Sequence, residues 1–440
     1  MSEKKKGSFI GLMPLIVFLS LYLATGFVSG SFDNMPLMIG ISIACFVAFL
    51  LQNPGEEKVS FTDKVTIFCK GGGDDTLILM VIIFLLAGAF YSVANNMHAV
   101  DSIVNIGLTI LPTRMLLPGL FLIGCILSFS MGTSMGTVSA LMPVAIDLAA
   151  KTGVNVALIG GVVVGSAMFG DNLSFISDTT IAATRTQEVS MKDKFRANFL
   201  MVLPAVIINL ILLSLVPMGR EIAAQVYDFN VINIVPYAVI IVLSLSGMNV
   251  IPVMGLGILS GLVIGMMHGD FTLLQSLGIL HEGMTWMEDM SLIAVLVGGM
   301  VALMKYFGGI DYLLEKLTKK TKSARGGELS IAALVSLLDI STTNNTISII
   351  AAGPIARNIA DAQGIDRRRV ASILDLFSSA FNGLLPYAGQ LLVAGGLAGI
   401  SPTAIMPYVW YCLLMLVFGV LFIVTGFPKN LAAANNLRGE

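Results

Sequence analysis

Apolar stretches dominate the chain and recur with membrane-crossing length at about 8–28, 35–51, 76–95, 197–216, 231–246, 249–267, 289–307 and 404–426. A helix needs roughly 20 such residues to cross about 30 Å of hydrocarbon, so each run is expected to be a membrane helix. The first follows lysines 4–6 and is too long for a signal-peptide core, which makes it a retained helix. The segments at about 98–190 and 329–400 are also apolar, but Gly, Ser, Thr, Asn, Asp or Pro interrupts them repeatedly. Backbone at membrane depth must satisfy its own hydrogen bonds, so such breaks are tolerated only where protein or a watery cavity covers them.

The interruptions repeat. The run GTSMGTVS at 132–139 aligns with STTNNTIS at 341–348 at an offset of 209, and GDNL at 170–173 with AFNG at 380–383 at an offset of about 210. Acidic pairs at 74–75 and 288–289 each open a long apolar helix. Two halves therefore share one plan, and paired broken helices in corresponding positions point to a secondary transporter's binding site. Basic residues collect on the cytoplasmic side. By that rule the N-terminus, the loop at 52–70 and the loops at 316–325 and 357–369 face the cytoplasm. Only about thirty apolar residues separate the last two loops, so the chain between them must enter and leave on one side, a re-entrant hairpin with its tip at 339–345. Its counterpart has its tip at 130–134 and enters from the opposite face.

The expected architecture is an all-α polytopic membrane protein, an inverted repeat with two re-entrant hairpins and two broken helices. Scaffold helices fill residues 1–70. A first repeat covers 71–216, with hairpin 115–150 and broken helix 155–185. Linking scaffold helices cover 217–285. A second repeat covers 286–428, with hairpin 327–361 and broken helix 368–400, and a tail occupies 429–440.

Composition narrows the function. Hydrophobic residues make up 56% of the chain and charged ones 12%, with a mean hydropathy of +0.89, so the solvent is mostly lipid. A net charge of -2 and the absence of basic runs interleaved with aromatics exclude a nucleic-acid partner. Four scattered cysteines read as core residues. No Walker loop occurs, so transport must draw on an ion gradient or on the substrate's own.

Candidate chemistry gathers at the breaks. Asp171 and Asp178 lie among Asn172, Ser174, Ser177 and Thr179 in an otherwise apolar region. A carboxylate at membrane depth costs at least about 2.5 kcal/mol and is expected to face a cavity. Carboxylate, hydroxyl, amide and freed carbonyl oxygens are the donors a hard cation such as Na+ takes, so Na+ is expected at Asp171 and Asp178. The second tip, with Asp339, Ser341, Thr342, Thr343, Asn344 and Asn345 in one short turn, is the other rich site, and Thr133 and Ser134 are its plainer counterpart. Asn382 sits in the second break, which lacks acids. Asp375 reads either as a proton carrier or as a partner of an arginine at 367–369. The three histidines are isolated, so neither a metal cofactor nor nucleophilic catalysis is expected.

The run SMGTSMGT at 130–137 followed by GDNLSFISDTT at 170–180 resembles the NhaC-type Na+/H+ antiporters of the ion transporter superfamily. The second motif is the more specific, and the resemblance extends from about 71 to 428. It implies an elevator motion of the hairpins and broken helices against a scaffold. It also implies a cation site on Asp171, Asn172, Ser174, Ser177, Asp178 and Thr179 with Thr133 and Ser134, completed by the tip at 339–345. The expectation is therefore exchange of Na+ for H+ across the cytoplasmic membrane, with no enzymatic step; the resemblance to elevator-type carriers implies a homodimer in membrane lipid. The alternative within the same fold is an ion-coupled carrier or exchanger of a small organic solute, an amino acid or carboxylate, favoured by the hydrogen-bonding groups of the second tip. No arginine lies in either tip to clamp a di-acid. A membrane enzyme would lack a nucleophile, and a channel would be blocked by two opposed hairpins.

Overall fold

The computed structural model describes residues 7–29, 35–54, 57–174, 177–217, 228–246, 248–312 and 323–427. Lysines 4–6, most of the basic loop at 316–325 and the tail from 429 lie outside the described residues. Among the described residues every regular element is helical. The first half runs through α1 (Met13–Ser29), α2 (Leu37–Leu50), α3 (Phe61–Gly72), α4 (Asp75–Asn96), α5 (Ala99–Ile110), α6 (Leu116–Met131), α7 (Ser134–Thr152), α8 (Val156–Leu173), α9 (Asp178–Gln187) and α10 (Met191–Ser214). The second runs through α11 (Val235–Leu245), α12 (Val250–His268), α13 (Leu273–Thr285), α14 (Glu288–Tyr306), α15 (Ala324–Thr342), α16 (Asn345–Gln363), α17 (Arg367–Asn382), α18 (Gly389–Ala398), α19 (Pro402–Ile405) and α20 (Trp410–Thr425).

Local chemistry sets many of these boundaries. Asn155 and Asp366 each accept the backbone N–H two residues on, at 2.8 Å, and so start α8 and α17. Ser60 and Thr272 cap α3 and α13. Left-handed residues end the helices at Gly132 and Thr343, Gly153 and Gly364, and Glu188 and Gly399, every pair 211 positions apart. Pro143 and Pro354, inside α7 and α16, keep the same interval.

That interval corrects the register of the repeat, expected at 209 for the tips and about 210 for the breaks. The expected register matched small polar side chains, which are similar at several neighbouring positions; the positions that must adopt positive φ are not interchangeable. Ser134 therefore corresponds to Asn345, and Asp171 to Asn382.

The two halves interlock by exchange. Helix α4 packs on α12 and α13, while its counterpart α14 packs on α2 and α3; α9 packs on α16, and α18 on α7. Such reciprocity is the mark of an approximate two-fold relation. Gly88 lies against Gly283, and Gly71 against Gly298, so closely that a Cβ on either member would strike the partner's backbone. Broken helices α8 and α17 are buried on nearly every face. Helices α10, α11, α12 and α20 instead expose Ile211, Val242, Leu259 and Val417, as lipid-facing helices do.

Five helices among the described residues are long and apolar enough to cross a membrane. The apolar run at 404–426 is not one helix: a 3-10 turn at Met406–Tyr408 and Val409, at φ -78 and ψ 61, separate α19 from α20, and upstream the chain turns by 104° between Gly389–Ala398 and Pro402–Tyr408. Helix α10, its counterpart, is continuous. Pro402 at the first helical position and Pro407 further on lack the N–H that an unbroken helix would use.

Candidate functional site

Two links and two breaks meet around a cavity of about 490 Å³. The links are the residue pairs 132–133 and 343–344, shorter than the tips expected at 130–134 and 339–345. Gly132 ends α6 at φ 64, and Thr133 is extended before α7 starts. In the second link a β-branched residue holds the same conformation: Thr343 has φ 57, with its N–H donating to the Asp339 carbonyl at 2.8 Å. Threonine pays steric strain there that glycine does not. Asn344 then caps α16 by accepting from the Ile347 N–H at 3.0 Å.

The first break frees the last carbonyls of α8, and side chains take them up. The Asp171 carbonyl accepts from the Thr179 hydroxyl at 2.9 Å and the Thr180 hydroxyl at 3.4 Å. The Asn172 carbonyl accepts from Lys194 Nζ at 2.8 Å and Asn198 Nδ2 at 2.7 Å. Ser174 turns away from the cavity, donating to the Phe129 carbonyl at 2.8 Å. The Asn172 side chain is also turned away, donating to the Tyr411 hydroxyl at 2.9 Å.

Asp171 is the buried carboxylate of the cavity wall. Its Oδ2 accepts from Ser134 Oγ at 2.8 Å and from Asn345 Nδ2 at 3.2 Å, so the corresponding residues of the two links hold one carboxylate oxygen together. Ser134 in turn accepts from Gln390 Nε2 at 2.9 Å. Ser177, Asp178 and Thr179 line the same cavity, with the Ser177 and Thr179 hydroxyls 2.9 Å apart. Asp178 sits exposed in the first turn of α9. Thr133, Asn249, Thr343, Asn344, Asn345, Thr346 and Asn382 add to the polar lining, and Met80, Ile83 and Ile347 give it an apolar side. No basic side chain is among the described lining residues, so its charges are those of Asp171 and Asp178.

Asp339 does not share the short turn expected for it. It lies in the last turn of α15, fully buried behind Asn382, which donates to it at 3.3 Å; Ser348 donates at 3.5 Å. Its Oδ2 has no hydrogen-bond partner among the described residues. Thr342 pairs with the Ser348 hydroxyl at 2.7 Å behind the link. Of the two readings of Asp375, the pairing with an arginine at 367–369 does not hold. Asp375 meets Lys194 at 2.9 Å and Asn198 at 2.7 Å, while Arg367 pairs with Asp361 and Glu188, Arg368 with Asp366, and Arg369 with Glu328. The arginines sit in the first turn of α17, two turns from a residue that faces α10 instead.

Sequence reading missed Lys194, Asn198 and Gln390. Lys194 and Asn198 are four residues apart and share a helix face. A signal was present, but Lys194 stands in the charged run KDKFR at 192–196 and reads as part of a solvated helix entry. Gln390 corresponds to Thr179 and became recognisable only with the 211-residue register.

A duplicated helical membrane chain with broken helices around a polar cavity is, by class, a secondary transporter. The chain belongs to the Na+/H+ antiporter family, whose model matches it twice, over residues 7–216 and 195–427. It is 24% identical to the Na(+)/H(+) antiporter NhaC of Alkalihalophilus pseudofirmus, over 99% of this chain and all of that protein. It is 23% identical to the malate-2H(+)/Na(+)-lactate antiporter of Bacillus subtilis (95% of this chain, 96% of the relative) and 21% identical to the arginine/ornithine antiporter ArcD of Halobacterium salinarum (97% and 93%). Among solved structures, the YdaH transporter of Alcanivorax borkumensis is 14% identical over 94% of this chain and 99% of that one, with a TM-score of 0.41, too low to carry any structural inference.

Proposed function

We propose that this antiporter exchanges Na+ for H+ by loading the two ions in turn on Asp171, with Asp178, Ser177 and Thr179 supplying further oxygens. The observation that carries the proposal is the double hold on Asp171 Oδ2 by Ser134 and Asn345. A cation arriving at that oxygen must displace or reorient donors from both links, so both halves register which ion is bound. Competition for one carboxylate couples the ions without any further device, because either can leave only when the other replaces it.

In this proposal α6–α9 and α15–α18 form the moving unit, with the links as re-entrant tips, and α1–α3 and α11–α13 belong to the scaffold. The glycine contacts of α4 with α13 and α3 with α14 support a rigid scaffold. Basic loops at 52–70 and 357–369 support a cytoplasmic-membrane protein with its N-terminus inside. Na+ uptake into proteoliposomes, measured with an imposed pH gradient, tests the exchange: flux should rise with the gradient, and flux indifferent to it would end the proposal.

A second reading has its own support. A cavity of about 490 Å³ is far larger than a bare ion needs, and the buried Gln390 Oε1 on its wall has no hydrogen-bond partner among the described residues. Two relatives are named as antiporters of organic solutes. A neutral or cationic small solute suits a wall with two carboxylates and no base; a free di-acid does not. Thermal shift with amino acids and hydroxy acids separates the readings, since only a bound solute stabilises the fold.

A further inference from the structure

Beneath the first break lies a positive charge that the exchange at Asp171 does not use. Lys194 Nζ is 2.6 Å from Thr180 Oγ1, 2.8 Å from the Asn172 carbonyl oxygen and 2.9 Å from Asp375 Oδ2. Its side chain is 1% exposed and that of Asp375 0%. Asn198 Nδ2 donates to the same carbonyl and the same carboxylate oxygen, both at 2.7 Å, and so braces the cage from the next turn of α10. Ser372 fixes Asn198 in turn by donating to its side-chain oxygen.

A carbonyl, a hydroxyl and a carboxylate gathered on one positive charge form the donor set that a hard cation takes. The carbonyl belongs to the buried C-terminal end of α8, where the helix dipole favours a cation. Thr180 also reaches the Asp171 carbonyl at 3.4 Å, so the cage and the cavity carboxylate share one stretch of backbone. The corresponding positions in the second half are Ile405 for Lys194, Leu391 for Thr180 and Val164 for Asp375, which could not build such a cage.

We propose that Lys194 is a tethered cation that permanently fills a second, Na+-like site beneath the break, so that the transporter carries one mobile cation at Asp171 per cycle and not two. The count per cycle rests on the Na+/H+ reading of Asp171; the cage assignment does not. An ordinary buried ion pair would fix the break equally well, but it would not make the vacated position a Na+ site.

The test counts Na+ bound to purified protein, with choline as the control cation. Wild type should bind one Na+ per chain. Lys194→Ala leaves the oxygens in place and should bind two, with a Hill coefficient for Na+ rising from one toward two and a melting temperature that climbs more steeply with Na+ than that of wild type. Ethylammonium, a detached copy of the lost side-chain end, should compete for the second ion only. Lys194→Ala/Asp375→Asn should return to one. The assignment is overturned if Lys194→Ala binds no more Na+ than wild type, or if it fails to fold in Na+ while Lys194→Met/Asp375→Leu folds. A wild type that binds no Na+ beside a Lys194→Ala variant that binds one would retire the Asp171 reading and leave the cage standing.

Discussion

The first and second breaks share a backbone plan and differ in what they carry. Helices α8 and α17 end at corresponding places, and α9 and α18 start 211 residues apart. At the first break stand Asp171, Asp178 and the Lys194 cage; at the second, the same positions hold Asn382, Gly389 and Ile405. Duplication supplied the geometry of a cavity, and divergence put the charge on one side of it. Asn382 now donates to Asp339, whereas Asp171 accepts from Ser134 and Asn345, so one pair of corresponding residues has become a donor on one side and an acceptor on the other. A polar site built this way offers its charge asymmetrically inside a nearly symmetric frame.

The largest expected effect comes from moving that charge. Asp171→Asn should lower Na+/H+ exchange by about 100-fold, equivalent to roughly 3 kcal/mol of lost ion binding. The exchange of partners, Asp171→Asn/Asn382→Asp, should not restore it, because Asp339 would then face a second buried carboxylate with no ammonium nearby. Recovery of flux in the double variant would show the two breaks to be equivalent after all.

Smaller effects should follow at the links. Removing a hydrogen bond to a charged group costs about 1.5–3 kcal/mol. Ser134→Ala removes a donor that an arriving Na+ has to displace from Asp171 and also strips Gln390 of its acceptor, so it should lower the KM for Na+ by about tenfold or more at the low end of that range. Asn345→Ala removes the longer contact and should do less. Concentration dependence of Na+ flux measures both, and an equal or reversed order would mean that the second link holds Asp171 as firmly as the first.

The smallest effect concerns the backbone. Thr343→Gly should raise the melting temperature by relieving about 1 kcal/mol of left-handed strain, and Gly132→Ala should lower it by introducing a comparable amount. If Thr343→Gly is more stable yet slower in transport, the strain at the second link belongs to the moving step. If stability falls instead, contacts of the Thr343 side chain outweigh its backbone cost.

Much of this was legible in the chain. Apolar length marked four of the five described helices long enough to cross a membrane, and Gly132, Asn344 and the polar run at 170–180 marked the link and break positions, because capping and left-handed turns act within a few residues of sequence. Ten of the candidate residues, from Thr133 to Asn382, do line one cavity. Side chains that meet across the halves were not legible in the same way. Asp375 carries no local mark of its preference for Lys194 over three nearer arginines; the choice depends on which face of α17 is turned to α10, and the arginines are taken up by Glu188, Asp361, Asp366 and Glu328. Nor does Asp339 announce that it lies behind Asn382.

What the sequence determined by itself was the list of helices, where they break, and that the breaks carry oxygen donors in a membrane. Only the tertiary structure decided which polar groups meet: the 211-residue register, the joint hold of Ser134 and Asn345 on Asp171, and the Lys194 cage. The physical reason is range. Helix length and caps are set by hydrogen bonds within one turn, whereas a buried charge finds its partner by the packing of whole helices, and in lipid that partner must be within contact distance because no water can stand in for it.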